Sequence, residues 1–312
     1  MPCRIGPRTK TKEAFKASFC FSHIFCKDRG VALCPCLFFC PEPLGKFLGY
    51  CRDRLRIVKS RKIIRLQVAE STNSVALDAG QHGAAVGTVI VAQSQTSGRG
   101  RLNRFWLSPP GMGLYFSLIL RPHLAVEDLP KITLTAGLAV CKGVEIAYDV
   151  CPKIKWPNDL LLGGRKFGGI LTETGPIQNM AVEGQVLVVV GVGLNLFPPA
   201  EGFPPEVERA TALSLHVDLK IDANALLETC AAAIEAEVHR LESQGFPTIL
   251  ADWQKRDAVK DRVLNWVTPE GRKVTGVSLG ADEHGMLRIR CDNGTIHTVI
   301  SGDVKLVGKF PG

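Results

Sequence analysis

The stretch KWPNDLLLGGRKFGGILTE, residues 155–173, gathers a proline-fixed turn, two glycine pairs and a lysine within nineteen residues. Pro157 sets the turn, and its neighbours Asn158 and Asp159 are the polar groups ahead of an apolar strand, so the pair either caps the turn or serves a ligand. Lys166 stands between Gly163–Gly164 and Gly168–Gly169, where backbone lacking side chains can pass close to a ligand while the ammonium points inward. An exposed hairpin lysine has the same local sequence. The segments around it decide between the two.

Upstream, IIRLQV from Ile63 alternates as a strand does and delivers Glu70, Ser71, Thr72 and Asn73 to its end. A second apolar run, GTVIVAQSQ from Gly87, ends at Gln95 and leads into SGRGRLNRFW, residues 97–106. Glycines at 98 and 100 let backbone N–H groups approach an anion, and Arg99, Arg101 and Arg104 can each add a charge-assisted hydrogen bond of ~1.5–3 kcal/mol. Trp106 offers a flat apolar face for stacking on a nucleobase or packing over a ligand. A solvated basic turn followed by a core tryptophan fits the composition as well. A third strand, residues 114–120, follows at once, so the loop hangs on strand ends, where sites are usually built.

Helical spacing of Ile132, Ala136, Ala139, Val140 and Gly143 predicts a helix with a small-residue face able to approach a sheet. QVLVVVGVGLNL from Gln185 is continuously apolar and β-branched, as a strand covered on both faces would be. A second helix is predicted over residues 223–243, with Asp222 as its cap and Leu227, Cys230, Ala231, Ile234, Val238 and Leu241 as its buried stripe. From Val263 the texture turns to short strands, RKVTGVSL, MLRIRC and TIHTVI, separated by DEHG and DNG turns, which predicts a small separate β-barrel. No Gly-Lys-Ser/Thr follows the arginine loop, and GVGLNL lacks the third glycine of a dinucleotide fingerprint, so both of those nucleotide folds are disfavoured.

The chain has 312 residues and a formal charge of +8, which suggests a polyanion partner until the charge is mapped. Residues 1–66 hold 15 Lys and Arg against 4 Asp and Glu, leaving 23 against 26 for the body. Seven of the eleven cysteines also fall in the first 51 residues. That leader lacks the paired ligand spacing of a zinc module and the compact apolar core of a secretory signal. It fits an organelle transit peptide only loosely, and its Pro, Gly and Cys break any helix-turn-helix. It reads as a poorly ordered extension, residues 1–60. The scattered body cysteines fit a reducing, cytoplasmic setting, and no run of 18 apolar residues offers a membrane span.

ESTN, QSQTSGRGRLNRFW, KWPNDLLLGGRKFGGIL and VVVGVGLNL, in this order and at these separations, resemble the biotin protein ligase family over roughly residues 62–308. The resemblance implies an α+β fold: a mixed central sheet flanked by helices, of the class II synthetase-like type of biotin/lipoate ligase catalytic domains, over residues 61–262. A small C-terminal SH3-like β-barrel over residues 263–312 would complete it. It implies an enzyme that joins biotin to ATP as biotinyl-5′-AMP and passes the biotinyl group to one lysine of a biotin carboxyl carrier domain, such as that of acetyl-CoA carboxylase.

By that resemblance Ser71, Thr72, Asn73 and Gln95 would hydrogen-bond the biotin ring system, and Arg99, Gly100 and Arg101 would fold over the carboxylate and α-phosphate as a lid. Lys166, with Arg101, would be catalytic, neutralising charge between the reacting groups. Gly169 would allow close approach on the biotin side. Arg104, Trp106, Asn158, Gly193 and Asn195 would serve ATP. Mg²⁺ is expected on the phosphate oxygens, with no protein metal ligands. Asn103 stands where many members have glycine, and asparagine tolerates the left-handed backbone such a turn can need. Neither a nucleic-acid nor a membrane partner is expected, since no repressor-type helix-turn-helix is readable. Edge-to-edge pairing of subunits into a homodimer stays open. So do two other readings: a lipoate or octanoate ligase or transferase of the same fold, and a biotin-sensing regulator.

Overall fold

The computed structural model describes residues 61–176, 185–204, 207, 209–267, 271–300, 302 and 304–307. The leader readings lie outside these residues. In chain order the strands of the main sheet are β1 (Ile63–Ala69), β2 (Val89–Gln95), β3 (Gly113–Leu120), β4 (Lys153–Lys155), β5 (Asp159–Leu162), β6 (Arg165–Thr174) and β7 (Val188–Asn195). Their spatial order is β1-β2-β3-β7-β6-β5-β4. β1 and β2 run parallel and every other neighbour is antiparallel, so the sheet is mixed. β7 lies at the centre, and its VVV run is fully buried, as a strand covered on both faces requires.

Helix α1 (Thr72–Gln81) connects β1 to β2. Sequence reasoning passed over it, because TNSVALDAGQ buries only Thr72, Asn73, Ala76 and Gly80 and shows no apolar stripe. Helix α2 (Lys131–Tyr148) and helix α3 (Ala223–Gln244) are as the spacing predicts. Every residue of the predicted α3 stripe is buried, and the Asp222 carboxylate accepts from the backbone N–H groups of Asn224 and Ala225 at 2.9 and 3.0 Å. The small face of α2 is shared between two partners. At Gly143 a Cβ would lie 3.2 Å from Cys230 Cα, so this position lets the two helix backbones approach. At Gly137 the neighbours are Ile154 and Leu160 of the sheet. Gly245 (φ 78°) ends α3, and α4 (Phe246–Gln254) starts at once with a proline in its first turn.

A second sheet contains β8 (Val263–Val267), β9 (Lys273–Ala281), β10 (Leu287–Arg290), β11 (Ile296–Val299) and β12 (Val304–Leu306), in the order β11-β10-β9-β8-β12, all antiparallel. This is the expected C-terminal β unit, with β8 and β12 added to the three strands read from the sequence. Its interior is not insulated from the main body: Leu264, Leu287, Ile289, Val299 and Val304 belong to the same apolar cluster as α2, α3 and β7. The Trp156 indole also donates to the Gly285 carbonyl at 2.9 Å, and Gln254 Nε2 to the Ala281 carbonyl at 3.2 Å.

Asp257 sits at this junction, where residues 256–258 pair with Ile154. Burial pushes its carboxyl up to about 6 against the opposing pull of the Val259 and Lys260 N–H groups and the Lys260 charge. A raised carboxyl favours the folded state fully below the unfolded value of about 3.9, and that contribution is lost as pH rises through about 6, at a cost of up to about 3 kcal/mol. Asp257→Asn keeps an oxygen for the two N–H groups and cannot ionise. Thermal unfolding from pH 4 to pH 8 should therefore show the Asn variant gaining on the wild type as pH rises. A pH-independent difference between the two would contradict the assignment.

Candidate functional site

The C-terminal ends of β1 and β2, the loop after β2 and the β5–β6 hairpin converge on a cleft of about 850 Å³. It is lined by Ser71, Thr72, Asn73, Gln95, Arg99, Gly100, Arg101, Arg104, Trp106, Asn158, Lys166, Gly169, Gly193 and Asn195, so all fourteen residues that the resemblance assigns to the site meet there, whereas Gly98, Gly163 and Gly168 lie outside the lining.

At one end lies a buried polar pocket. Ser71, Thr72 and Asn73, at the start of α1, are at most 4% exposed. Ser117 Oγ donates to Asn73 Oδ1 at 2.6 Å and lies 2.8 Å from Thr72 Oγ1. Thr72 donates its backbone N–H to Gln95 Oε1 at 2.9 Å, Gln95 Nε2 donates to Ser108 Oγ at 2.8 Å, and Ser108 Oγ donates to the Trp106 carbonyl at 3.0 Å. A continuous chain of hydrogen bonds thus joins the pocket to the arginine loop. Asn73 Nδ2 donates to Glu173 at 2.7 Å, and both Glu173 oxygens lie 3.1 Å from Arg99 Nη2, so one carboxylate holds pocket and loop together.

The arginine loop is a small hairpin: Gly100 N–H donates to the Arg104 carbonyl (2.7 Å), Trp106 N–H to the Gly98 carbonyl (2.8 Å), and Arg99 bridges Phe105. Its tip holds Leu102 and Phe105, 64% and 65% exposed. The left-handed residue here is Leu102 (φ 56°, ψ 37°), one position before the Asn103 at which such backbone was expected. The Arg101 guanidinium stands 6.0 Å over the Trp156 ring.

Opposite the loop is Lys166, whose ammonium lies 2.5 Å from Asp159 Oδ1 and 5.3 Å over the Trp106 ring. Burial would raise the Asp159 carboxyl, but Lys166 and then Lys155 outweigh it and hold it below the usual carboxylate range. The Gly163–Gly164 pair is the two-residue turn of the hairpin, with φ of 53° and 70°. Gly168 faces Leu194 and serves packing, whereas Gly169 and Gly193 face Trp106. Asn158 Nδ2 donates to the Ile170 carbonyl (2.9 Å) and Asn195 Nδ2 to the Thr211 carbonyl (3.1 Å).

Sequence reasoning left Asp159, Glu173 and Ser117 out of the site. Each had a signal: Asp159 is half of the polar pair after Pro157, Glu173 closes the decisive stretch, and Ser117 is a serine set among large side chains in the strand LYFSLIL. Among the described residues no cluster of three or more His, Cys, Asp or Glu side chains could hold a metal. The carboxylates Asp159 and Glu173 are engaged by Lys166 and Arg99, and such a donor set suits a metal that arrives on phosphate oxygens.

Comparison with known proteins gives the same outline. Residues 66–195 match the biotin/lipoate A/B protein ligase family, and residues 267–307 match the biotin protein ligase C-terminal domain. The bifunctional ligase/repressor BirA of Bacillus subtilis is 34% identical over 256 residues, covering 80% of this chain and 75% of that protein. A biotin--[acetyl-CoA-carboxylase] ligase of Mycobacterium tuberculosis is 32% identical, covering 75% of this chain and 85% of its own length. The Aquifex aeolicus biotin protein ligase solved with biotin and ATP is 28% identical and superposes with a TM-score of 0.67 over 79% of this chain and 99% of that one.

The contact between Trp106 and Gly193 is directly testable. A Cβ at Gly193 would fall 2.6 Å from Trp106 Nε1, so Gly193→Ala must displace the indole. Intrinsic fluorescence of Gly193→Ala should shift relative to wild type, and the shift should vanish when the same change is made in a Trp106→Phe background. A shift that persists without Trp106 would mean the alanine is accommodated elsewhere.

Proposed function

This chain belongs to the biotin/lipoate A/B protein ligase family, and we propose that it is an ATP-dependent biotin protein ligase. The observation that carries the reading is the placement of an ion-paired ammonium, Lys166, and an arginine loop in the lining of one cleft that ends in a buried polar pocket. In the first reaction the biotin carboxylate attacks the α-phosphorus of ATP, forming the acyl–phosphate anhydride and releasing pyrophosphate. Two anions must meet, and their repulsion dominates the barrier unless fixed cations offset it. In the second, the amine of a carrier lysine attacks the acyl carbonyl, forming an amide and releasing AMP.

Ser71, Thr72, Asn73 and Gln95 bind the polar ring system of biotin at the closed end. Arg99, Gly100 and Arg101 cover its carboxylate and the α-phosphate, and closure would also cover the exposed Leu102 and Phe105. Lys166 Nζ stands beside both reacting groups. Trp106, on the floor made by Gly169 and Gly193, packs against the nucleotide with Arg104, Asn158 and Asn195 around it. Mg²⁺, bound with ATP through phosphate oxygens, would supply further charge screening. The second substrate is a biotin carboxyl carrier domain. Cytoplasmic residence accords with free cysteines at Cys141, Cys151, Cys230 and Cys291, and no helix among the described residues is long and apolar enough to cross a membrane.

Incubation of the purified chain with biotin, ATP, Mg²⁺ and a carrier domain should release pyrophosphate and add one biotinyl group to one carrier lysine, read by mass spectrometry. Lipoate or octanoate in place of biotin should give no adduct. An adduct with those acids alone would favour the other acyl chemistry, and binding without pyrophosphate release would favour a regulator. Lys166→Ala and Arg101→Ala should each slow adenylate formation by roughly 10²- to 10³-fold. Wild-type rates in both would remove their assigned roles.

A further inference from the structure

His216 lies outside the cleft lining, yet it is built into the segment that holds Lys166 and Asn195. The chain after β7 passes along the outer side of Lys166 as an isolated parallel bridge between Lys166 and Ala210. Lys166 N–H donates to the Arg209 carbonyl at 2.8 Å, and Thr211 N–H donates back to the Lys166 carbonyl at 2.8 Å. The Thr211 carbonyl then accepts from Asn195 Nδ2 at 3.1 Å. Thr211 is 2% exposed, and both halves of its peptide are committed to residues placed at the reaction.

What fixes Thr211 is its side chain. The 3₁₀ turn Leu213–Leu215 is pinned to the end of β7 by Ser214 N–H donating to the Leu196 carbonyl (2.9 Å), and it returns the chain so that His216 Nε2 lies 2.9 Å from Thr211 Oγ1. The adjoining Cε1–Nδ1 edge of the imidazole faces the hairpin turn ahead of Lys166, where a Cβ at Gly163 would meet His216 Cε1 at 3.1 Å. Burial, then the Arg165 charge, depress the imidazole's basicity, so the bond to Thr211 is one between neutral groups.

We propose that His216 is a positioning residue for adenylate formation, wedged between the Gly163–Gly164 turn and Thr211 so that the Lys166 backbone and the Asn195 amide are clamped from both sides. The proposal rests on the reading of Lys166 and Asn195 given above. His216 touches no substrate. It acts by removing the freedom of Thr211 to tilt, and loss of that restraint is felt on the nucleotide side, because the polar pocket for biotin is built from other elements.

The test is steady-state kinetics of pyrophosphate release with the full chain, together with thermal unfolding. His216→Ala should raise KM for ATP and lower kcat, each between about threefold and about tenfold, with KM for biotin unchanged. A variant that merely unfolds in part would lower kcat and leave both KM values alone, which would overturn the proposal. His216→Gln, which can again hydrogen-bond the Thr211 hydroxyl, should restore most of the loss. Thr211→Val, which removes the hydrogen bond and leaves the packing on the Gly163–Gly164 turn, should reproduce part of the His216→Ala loss, and the double variant should lose no more than His216→Ala alone. Losses that multiply would overturn the clamp. The two failures separate: a wild-type chain that forms no biotinyl-AMP overturns the reading of the site and the proposal with it, whereas an active wild type beside an unchanged His216→Ala overturns the proposal alone.

Discussion

A protonated amine held 2.5 Å from a carboxylate at the wall of a cleft is expensive to maintain, and much of the surrounding architecture keeps it in place. Burial alone would drive the Asp159 carboxyl toward its protonated form. Lys166 on one oxygen and Lys155 on the other hold it ionised. In the β5–β6 hairpin Lys166 pairs with Leu161 and Asp159 with Gly169, across a register shift between Leu160 and Leu161, and the lysine side chain reaches along the hairpin to the aspartate. The benefit is an ammonium oriented in advance. A cation that need not move when substrate arrives stabilises developing negative charge without reorganisation.

The second organising feature is polar continuity. Ser117, Thr72, Gln95 and Ser108 pass hydrogen bonds from the closed end of the cleft to the carbonyl of Trp106, and Glu173 ties Asn73 to Arg99. Buried networks of this kind are rigid when every member is satisfied and costly when one is not. The buried polar pocket and the arginine loop are therefore parts of a single object. Trp106 Nε1, by contrast, is buried without a hydrogen-bond partner, at the face of Gly193.

Most of the sheet and both long helices were legible because burial imposes periodicity: β7 is apolar at every step of its VVV run, and α3 shows its stripe and its Asp222 cap. What the sequence hid has physical reasons. Helix α1 carries hydroxyl and amide side chains on its buried face because that face belongs to the pocket, and α4 follows α3 with no loop to mark the break. The candidate residues were found through four co-linear motifs, and all fourteen line one cleft. The partners that orient them were harder to see: Glu173 shows in the sequence only as the end of the decisive stretch and Thr211 not at all, because both act through contacts between positions far apart in the chain.

The indole of Trp156 precedes Pro157 in the decisive stretch and donates its proton to Gly285, in the turn between β9 and β10. Around it, α2, α4 and the small sheet share one oily interior. The C-terminal unit is thus no removable accessory: cutting it away would bare the flank of the very turn that carries Asn158 and Asp159. A macromolecule that grips the small sheet would be pulling on a lever whose fulcrum is that tryptophan.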